Sequence, residues 1–295
     1  MNRCLAFLLA LMFATITVSS ACIAAPADWI GFTLRPERGD GGKIHASFDD
    51  EERGGDRNSW STGFRPSELI GLDTAGFGGP GNRPLRFAIV REAGRLDCSG
   101  NGGGSRAIGN CRFTADASFM RLLASRGIGT PNREQAFGLM AIDARRDLID
   151  AVVAARYPTP TIDDLMALSA LGVNGRYIAD LARVGYRPRA IDTLIEFKAL
   201  GVTPQWIGEF TRAGYGNLPA DQLVQLRALN ITPEFIVAFD QIGYPRLPVD
   251  SLVQLKALNV TPEFALAANR QNDRRLSVDQ LVQMKALGLG PKSRR

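Results

Sequence analysis

Residues 215–243 read YGNLPADQLVQLRALNITPEFIVAFDQIG, and residues 244–272 read YPRLPVDSLVQLKALNVTPEFALAANRQN. The two stretches have the same length and share most of their apolar, threonine and proline positions. Similar stretches occupy residues 157–185, 186–214 and 273–295. A fixed period of about 29 residues is typical of solenoids, in which each unit buries its apolar face against its neighbours.

Each copy carries the start and stop signals of two helices. Apolar residues at helical spacing, such as Leu223 and Leu226, predict a first helix that ends at Asn230. Thr232 followed by Pro233 predicts the start of a second helix. The equivalent helix ends in the other copies are Gly172, Gly201, Asn259 and Gly288. The other Thr-Pro pairs lie at residues 203–204 and 261–262. Ser277 with Gln280 predicts a capping box, and so does Thr161 with Asp164.

The same register continues upstream in a weaker form. Leu139 falls at a core leucine position and Asp143 at a helix end, while Phe119 takes the position of the second helix's first aromatic residue and Gly127 that of its closing glycine. Degenerate copies are therefore predicted over residues 116–156, as expected for units that cover the end of an apolar core. The helical-repeat domain is predicted to span residues 116–295.

Residues 25–115 differ from the repeats and predict a small β-sandwich or β-sheet domain. Apolar residues at 85, 87 and 89 alternate with other residues, which is typical of a half-buried strand. A turn is expected at residues 92–94, a glycine-rich loop at 100–109 and a polar loop at 39–59. The predicted fold class is thus α+β, with an N-terminal β domain followed by a C-terminal α-solenoid of helical hairpins of about 29 residues.

The first residues predict a signal peptide over residues 1–24. Arg3 precedes an uncharged apolar run of about 15 residues, which is followed by small residues typical of a cleavage site. The run is shorter than the roughly 20 residues that span a bilayer, although an uncleaved anchor is an alternative. Cys22 is a weak match to a lipid-anchor site. A periplasmic or secreted chain without a transmembrane span in its mature form is predicted.

Cys98 and Cys111 are the two cysteines that lie outside this N-terminal segment. An even pair in an oxidising compartment favours a disulfide. A metal site would need further ligands, and His45 is the only histidine in the chain. The sequence therefore predicts a disulfide between Cys98 and Cys111.

The net charge of +5 is concentrated in the C-terminal half, where Lys292, Arg294 and Arg295 supply most of the excess. A groove that follows nucleic-acid phosphates needs a sustained basic stripe, usually with stacking aromatic residues. A short basic tail does not provide one. We therefore expect no nucleic-acid partner.

Two side-chain positions that recur in the copies have alternative interpretations. An aspartate ladder could bind cations, but helix-start support is favoured, because each carboxylate falls in a first helical turn. The aromatic position of the second helix could be a stacking platform, but a core position is favoured. The aspartates are Asp163, Asp192, Asp221, Asp250 and Asp279, and the aromatic residues are Tyr177, Trp206, Phe235 and Phe264.

The chain lacks the common catalytic signatures. Residues 101–105 have the glycines of a phosphate loop but not its Lys-Ser/Thr ending, which favours a hairpin loop. No HExxH, GxSxG or paired-carboxylate motif is present. The sequence predicts no catalytic, cofactor-binding or metal-binding residue and hence a non-enzymatic protein. The alternative is a cell-envelope hydrolase with a site near His45 and the acidic run at residues 49–52.

The segments FAIVREAG (residues 87–94) and LDCSG (96–100), with Phe113 and the later VTPEF-type repeats, resemble a known bacterial arrangement. It is the extracytoplasmic region appended to some beta-lactam-sensor-type membrane zinc peptidases, shared with free-standing secreted proteins. The peptidase part is absent here, so the resemblance implies no catalytic residue. It implies a sensing or protein-interaction module outside the cytoplasm.

The resulting hypothesis is a periplasmic or secreted protein-interaction or sensing module that binds an unidentified protein of the cell envelope. Val224 and Gln225, with Val253, Gln254, Val282 and Gln283, are predicted to form a repetitive binding face. A structural envelope protein is a further alternative.

Overall fold

The computed structural model describes residues 29–36, 42–51, 57–74 and 81–289. Within these residues the fold is α+β, with a six-stranded antiparallel sheet followed by a run of α-helices. The predicted signal peptide, Cys22 and the basic tail lie outside the described residues.

The strands are β1 (Trp29–Pro36), β2 (Ile44–Glu51), β3 (Arg57–Phe64), β4 (Arg83–Arg91), β5 (Gly94–Gly103) and β6 (Arg106–Ala115). They form one sheet in the order β3-β2-β1-β6-β5-β4, and every neighbouring pair is antiparallel. The β domain is therefore a single sheet rather than a two-layer sandwich. After β3, a 3₁₀-helix at Pro66–Glu68 leads to Ile70, which pairs with Ala88 of β4.

The sheet curls around an apolar interior. Ile30, Phe32 and Leu34 of β1 point to the same side and are buried, as the period-two geometry of a strand requires. The ring of Phe32 lies 5.1 Å from that of Phe87 in β4, although two strands separate β1 from β4. This contact across the interior shows strong curvature of the twisted sheet.

The prediction of a polar loop at residues 39–59 was wrong for the part of this stretch that the structure describes. β2 and β3 pair there as an antiparallel hairpin. Ile44, Ala46 and Phe48 alternate with polar residues and are buried in the curled sheet. The polar residues between them belong to the opposite, solvent-facing side of the strand, and this lowers the hydrophobicity of the segment without removing its period of two.

The prediction of a glycine-rich loop at residues 100–109 was wrong except for the two residues at its centre. β5 continues to Gly103 and β6 begins at Arg106, so that only Gly104 and Ser105 form the turn. Gly104 has φ of +60°, which suits the first central position of a type II′ turn.

Close strand approach explains the glycines that flank this turn. Gly100 and Gly109 lie opposite each other in the β5–β6 pairing. A Cβ atom on Gly100 would lie 2.2 Å from the carbonyl oxygen of Ile108, and one on Gly109 would lie 2.3 Å from that of Ser99. Glycine is thus needed here for strand contact, not for loop flexibility.

The disulfide between Cys98 and Cys111 joins β5 and β6, as predicted. The two residues are directly paired across the strands, and their Cα atoms are 4.0 Å apart. Both cysteines are buried in the sheet interior. The sequence separation of 13 implies a stabilisation of about 3 kcal/mol, because the bridge restricts the unfolded chain.

Twelve α-helices follow in the described part of the chain. They are α1 (Ala117–Ser125), α2 (Arg133–Ala141), α3 (Arg146–Ala154), α4 (Ile162–Ala170), α5 (Gly175–Arg183), α6 (Ile191–Ala199), α7 (Pro204–Arg212), α8 (Ala220–Ala228), α9 (Pro233–Gln241), α10 (Val249–Ala257), α11 (Pro262–Gln271) and α12 (Val278–Ala286). The odd-numbered helices begin at intervals of 29 residues, and the even-numbered helices do the same.

The predicted capping residues occupy the helix ends. The Oγ1 atoms of Thr203, Thr232 and Thr261 accept hydrogen bonds from the backbone three residues on, and a proline follows each threonine. The two predicted capping boxes are also formed. The helix-end residues Gly172, Gly201, Asn230, Asn259 and Gly288 have positive φ, the conformation for which glycine and asparagine are suited.

The weak upstream register corresponds to α1, α2 and α3. Asp143 and Gly127 have φ of +56° and +73° at the helix ends expected for them. Phe119 and Leu148 are buried near the starts of α1 and α3. Residues 116–156 therefore form helices whose starts keep the 29-residue spacing of the helices that follow.

The even-numbered helices pack against one another in sequence from α2 to α12, while α3, α5 and α7 form a second row. Leucines at one position of the even-numbered helices from α4 to α12 form the centre of the packing and are almost fully buried: Leu165, Leu194, Leu223, Leu252 and Leu281. The helices have nine or ten residues and are too short to be stable alone, so this burial must hold them in place.

The turn between β4 and β5 joins the sheet to the first helices. Nη1 of Arg91 donates a hydrogen bond of 2.9 Å to the Met140 carbonyl oxygen at the end of α2. The Glu92 carboxylate accepts a hydrogen bond of 2.8 Å from the backbone N–H of Arg146 at the start of α3. A carboxylate is favourable at a helix N-terminus, and Arg145 supplies no side-chain cap there.

Candidate binding groove between α3 and α5

A groove of about 310 Å³ lies between α3 and α5. Small side chains form its walls, and Tyr157 and Tyr186 contribute from the segments that follow the two helices. Its lining residues are Ala151, Ala154, Ala155, Tyr157, Gly175, Ile178, Ala179, Ala182, Tyr186, Arg187 and Pro188.

Small residues open the groove at this point of the helical run. Ala151 and Ala154 of α3 correspond to Asp180 and Arg183 of α5, one period later. Gly175 takes the position at which later helices carry proline. A Cβ on Gly175 would lie only 3.2 Å from the Cβ of Ala151, so the helices approach closely at one end of the groove.

The two tyrosines differ from the other three in the chain. The hydroxyls of Tyr177, Tyr215 and Tyr244 all donate hydrogen bonds to backbone carbonyl oxygens. The hydroxyls of Tyr157 and Tyr186 make no hydrogen bond to any described residue. Two phenols that can donate and accept therefore remain available at the groove.

Burial raises the pKa of the Tyr157 phenol above its ordinary value. Burial also raises the pKa of Tyr186, and the negative charge of Asp221 adds to the effect. Both side chains are thus neutral near pH 7. With Arg187 as the charged group of the lining, the groove combines mostly apolar walls with a few polar groups, as ligand sites usually do.

The predicted binding face on the first helices is only partly available. Val224, Val253 and Val282 are half-buried and pack against the core. The neighbouring glutamines, Gln225, Gln254 and Gln283, are exposed. A partner on this face would therefore meet mainly amide groups.

The recurring aromatic residues belong to the core more than to an open stacking surface. Tyr177 and Trp206 are each 8% exposed, and Phe235 and Phe264 are half-buried. A lysine or arginine lies over each of these rings, with 4.6 to 5.6 Å between the cation and the ring centroid. The core interpretation is confirmed.

The aspartate ladder occupies the first turns of α4, α6, α8, α10 and α12, and its carboxylates are exposed. This position matches the interpretation as helix-start support, in which the carboxylate meets the positive end of the helix dipole. Among the described residues, no three His, Cys, Asp or Glu side chains are grouped so that they could hold a metal ion.

In the part of the chain that the structure describes, His45 forms no ion pair with the acidic run of the alternative hydrolase site. His45 and Asp49 both lie on β2, four residues apart, and at roughly 3.3 Å per residue their backbones are about 13 Å apart. The end of the acidic run, Glu52, lies outside the described residues.

No known protein-family model and no curated protein sequence matches this chain. Within the part of the chain that the structure describes, no helix has the length and apolar character that crossing a membrane requires. Sequence reasoning did not find the groove. Its signal was the departure from the repeat pattern at residues 151, 154 and 175, where small residues replace longer ones or proline.

Proposed function

We propose that this protein is a periplasmic or secreted, non-enzymatic protein-interaction or sensing module built on an α-solenoid. In this proposal each period of about 29 residues is one helical hairpin, and stacked hairpins form the scaffold. Helix starts at constant intervals and the buried leucines of the even-numbered helices support the solenoid.

One observation carries the binding function. The lining of the groove between α3 and α5 includes Tyr157 and Tyr186, whose hydroxyls have no hydrogen-bond partner among the described residues, together with alanine and glycine. An extended protein segment has backbone donors and acceptors that can satisfy such hydroxyls, and small side chains leave room for its own side chains. We infer a protein segment of the cell envelope as the ligand.

The extracytoplasmic location has separate support. A buried disulfide joins β5 and β6, and such bonds persist mainly in oxidising compartments. The apolar N-terminal run has the features of a signal peptide. The resemblance to the extracytoplasmic region of beta-lactam-sensor-type zinc peptidases favours the same location and a sensing role.

Site-specific photo-cross-linking in intact cells tests the groove. A benzophenone amino acid at the exposed Ala179 of α5 should cross-link a partner protein. Ala154→Arg should reduce this cross-link at least about tenfold, the effect of losing about 1.4 kcal/mol of binding free energy. Arginine is compatible with this helix position, because α5 carries Arg183 at the matching place.

The control probe is placed at the exposed Ala199 of α6, and the control substitution is Ala257→Arg at an exposed position of α10. Neither should affect the groove. Equal cross-linking from Ala179 and Ala199, or a cross-link that Ala154→Arg does not weaken, would contradict the groove as the binding site.

A further inference from the structure

The outward face of the curled sheet carries a basic and apolar surface that is separate from the groove. Trp29, Ile70, Arg86, Arg95 and Arg112 line one open concavity of about 480 Å³ on this face. We call these five residues the arginine face. Trp29 lies on β1, Ile70 lies between β3 and β4, and the three arginines lie on β4, β5 and β6. The folded sheet thus brings them together from distant parts of the chain.

The charges of the arginine face are only partly neutralised. Nε of Arg95 lies 2.7 Å from an Asp97 carboxylate oxygen. Arg86 and Arg112 form no ion pair with the described residues, and among those residues Asp97 is the only acidic one in the lining. The surface thus has an excess of positive charge, although residues 25–115 as a whole carry no such excess.

Apolar side chains accompany these charges on the same face. Trp29 is 40% exposed and lies directly opposite Arg112 in the β1–β6 pairing. Ile70 is 55% exposed at the β4 edge. Val90 of β4 and Ile108 of β6 are also about half exposed. A solvent-facing side of an antiparallel sheet is ordinarily polar, so this group of apolar residues needs an explanation.

We propose that the arginine face binds the surface of an anionic phospholipid membrane. Arginine can place its aliphatic stem along apolar groups while its guanidinium pairs with a lipid phosphate. Tryptophan is the residue that favours the membrane–water interface, where one part of the ring is apolar and the indole N–H is hydrated. The exposed isoleucine adds apolar area that can enter the headgroup region.

The position of the face in the chain supports this occupant. β1 begins at Trp29, and the preceding segment carries the apolar run and Cys22. Seven extended residues span at most about 25 Å. An anchor at Cys22 or in the apolar run would hold Trp29, and with it the arginine face, close to the bilayer. The proposal shares the envelope location with the proposed function but not the groove.

Vesicle flotation tests the proposal with residues 25–295, so that neither an acyl chain at Cys22 nor the apolar run can contribute. We expect binding to phosphatidylglycerol-containing vesicles, weak binding to pure phosphatidylcholine vesicles, and loss of binding at high salt. The triple variant Arg86→Glu, Arg95→Glu, Arg112→Glu should bind about a hundredfold more weakly, since each basic residue near an anionic surface contributes about a fivefold factor.

The matched control reverses three exposed arginines of the odd-numbered helices, Arg176→Glu, Arg212→Glu and Arg270→Glu, and should bind as the parent does. Circular dichroism of both triple variants checks that they fold. Equal affinity for the two kinds of vesicle, equal weakening by both triple variants, or no binding to anionic vesicles would overturn the proposal. Binding to soluble polyphosphate but not to vesicles would also overturn it.

Tryptophan fluorescence provides a second measurement that does not depend on charge reversal. Trp29 is exposed, whereas Trp206 is buried and Trp60 is half-buried. Anionic vesicles should shift the emission to shorter wavelength, and brominated lipids should quench it. Trp29→Phe should abolish both effects. A shift that persists in Trp29→Phe would place the contact elsewhere.

Discussion

Tyrosine hydroxyls connect separate segments of the helical run. The Tyr177 hydroxyl, near the start of α5, donates a hydrogen bond of 2.7 Å to the carbonyl oxygen of Val202, which precedes α7. The Tyr215 hydroxyl, in the segment after α7, donates a hydrogen bond of 2.7 Å to the carbonyl oxygen of Leu247, which precedes α10. Each bond satisfies a carbonyl group of an interhelical segment that would otherwise be partly buried without a donor.

Tyr177→Phe should lower the free energy of unfolding at pH 7 by about 1 to 2 kcal/mol, because the Val202 carbonyl oxygen loses its donor. Urea denaturation followed by circular dichroism measures this loss. Tyr157→Phe is the control, since the Tyr157 hydroxyl has no hydrogen-bond partner among the described residues. An equal loss in the two variants would contradict a role for the Tyr177 hydrogen bond.

The same substitution has a defined pH dependence. Burial, with a smaller contribution from Tyr157, raises the pKa of Tyr177 from 10.0 to about 12. The folded protein therefore holds this proton more strongly than the unfolded chain, and the stability that it contributes is present below pH 10 and is lost as the pH rises towards 12. The stability difference between the parent and Tyr177→Phe should shrink over that interval. A constant or growing difference would contradict the raised pKa.

At the scale of elements, neighbouring helices are joined by a row of cations that lie over aromatic rings. The pairs are Lys198 with Tyr177, Arg227 with Trp206, Lys256 with Phe235, and Lys285 with Phe264. Ser169 and Leu148 take the corresponding positions one period earlier, and there a cavity of about 240 Å³ opens between the helices. The cation–ring pairs thus fill the space between helices that stays open as a cavity where neither the cation nor the ring is present.

Arg227→Met should destabilise the protein by about 1 kcal/mol, because methionine keeps an apolar stem but removes the cation. Arg227 also donates a hydrogen bond of 2.9 Å from Nε to the Leu200 carbonyl oxygen at the end of α6. Thermal and urea unfolding measure the change. Arg212→Met is the control, because Arg212 is exposed and forms no ion pair with a described residue. A loss of the same size there would indicate a general effect of charge.

The elements also differ in how far the sequence predicts them. Helix ends depend on local chemistry, such as the threonine cap at 203 or the asparagine at 230, so their positions could be predicted closely. Gly100 and Gly109 looked like loop residues because their role is a contact between two strands, which single-sequence patterns do not contain. The groove and the arginine face share this limit, since each combines residues from separate elements.

At the scale of the whole molecule, stability of the helical part comes from contacts between successive helices. The helices are nine or ten residues long, and isolated helices of that length are marginal in water. Buried leucines, the tyrosine hydrogen bonds and the cation–ring pairs all connect residues of different helices. The solenoid proposal therefore predicts that a whole period can be removed while the interfaces between helices are preserved.

Deletion of residues 215–243 should give a shorter protein that still unfolds in one cooperative transition. The deletion joins Gly214 to Tyr244, which restores the Gly-Tyr junction found in the parent. It also brings Lys256 to the position of Arg227, so that Trp206 keeps a cation over its ring. The slope of the unfolding free energy against denaturant concentration should be smaller than in the parent, because less surface is buried. Deletion of residues 215–240 shifts the following helices by three residues and should destroy the packing. Similar unfolding of the two deletion variants would contradict a solenoid whose copies are interchangeable.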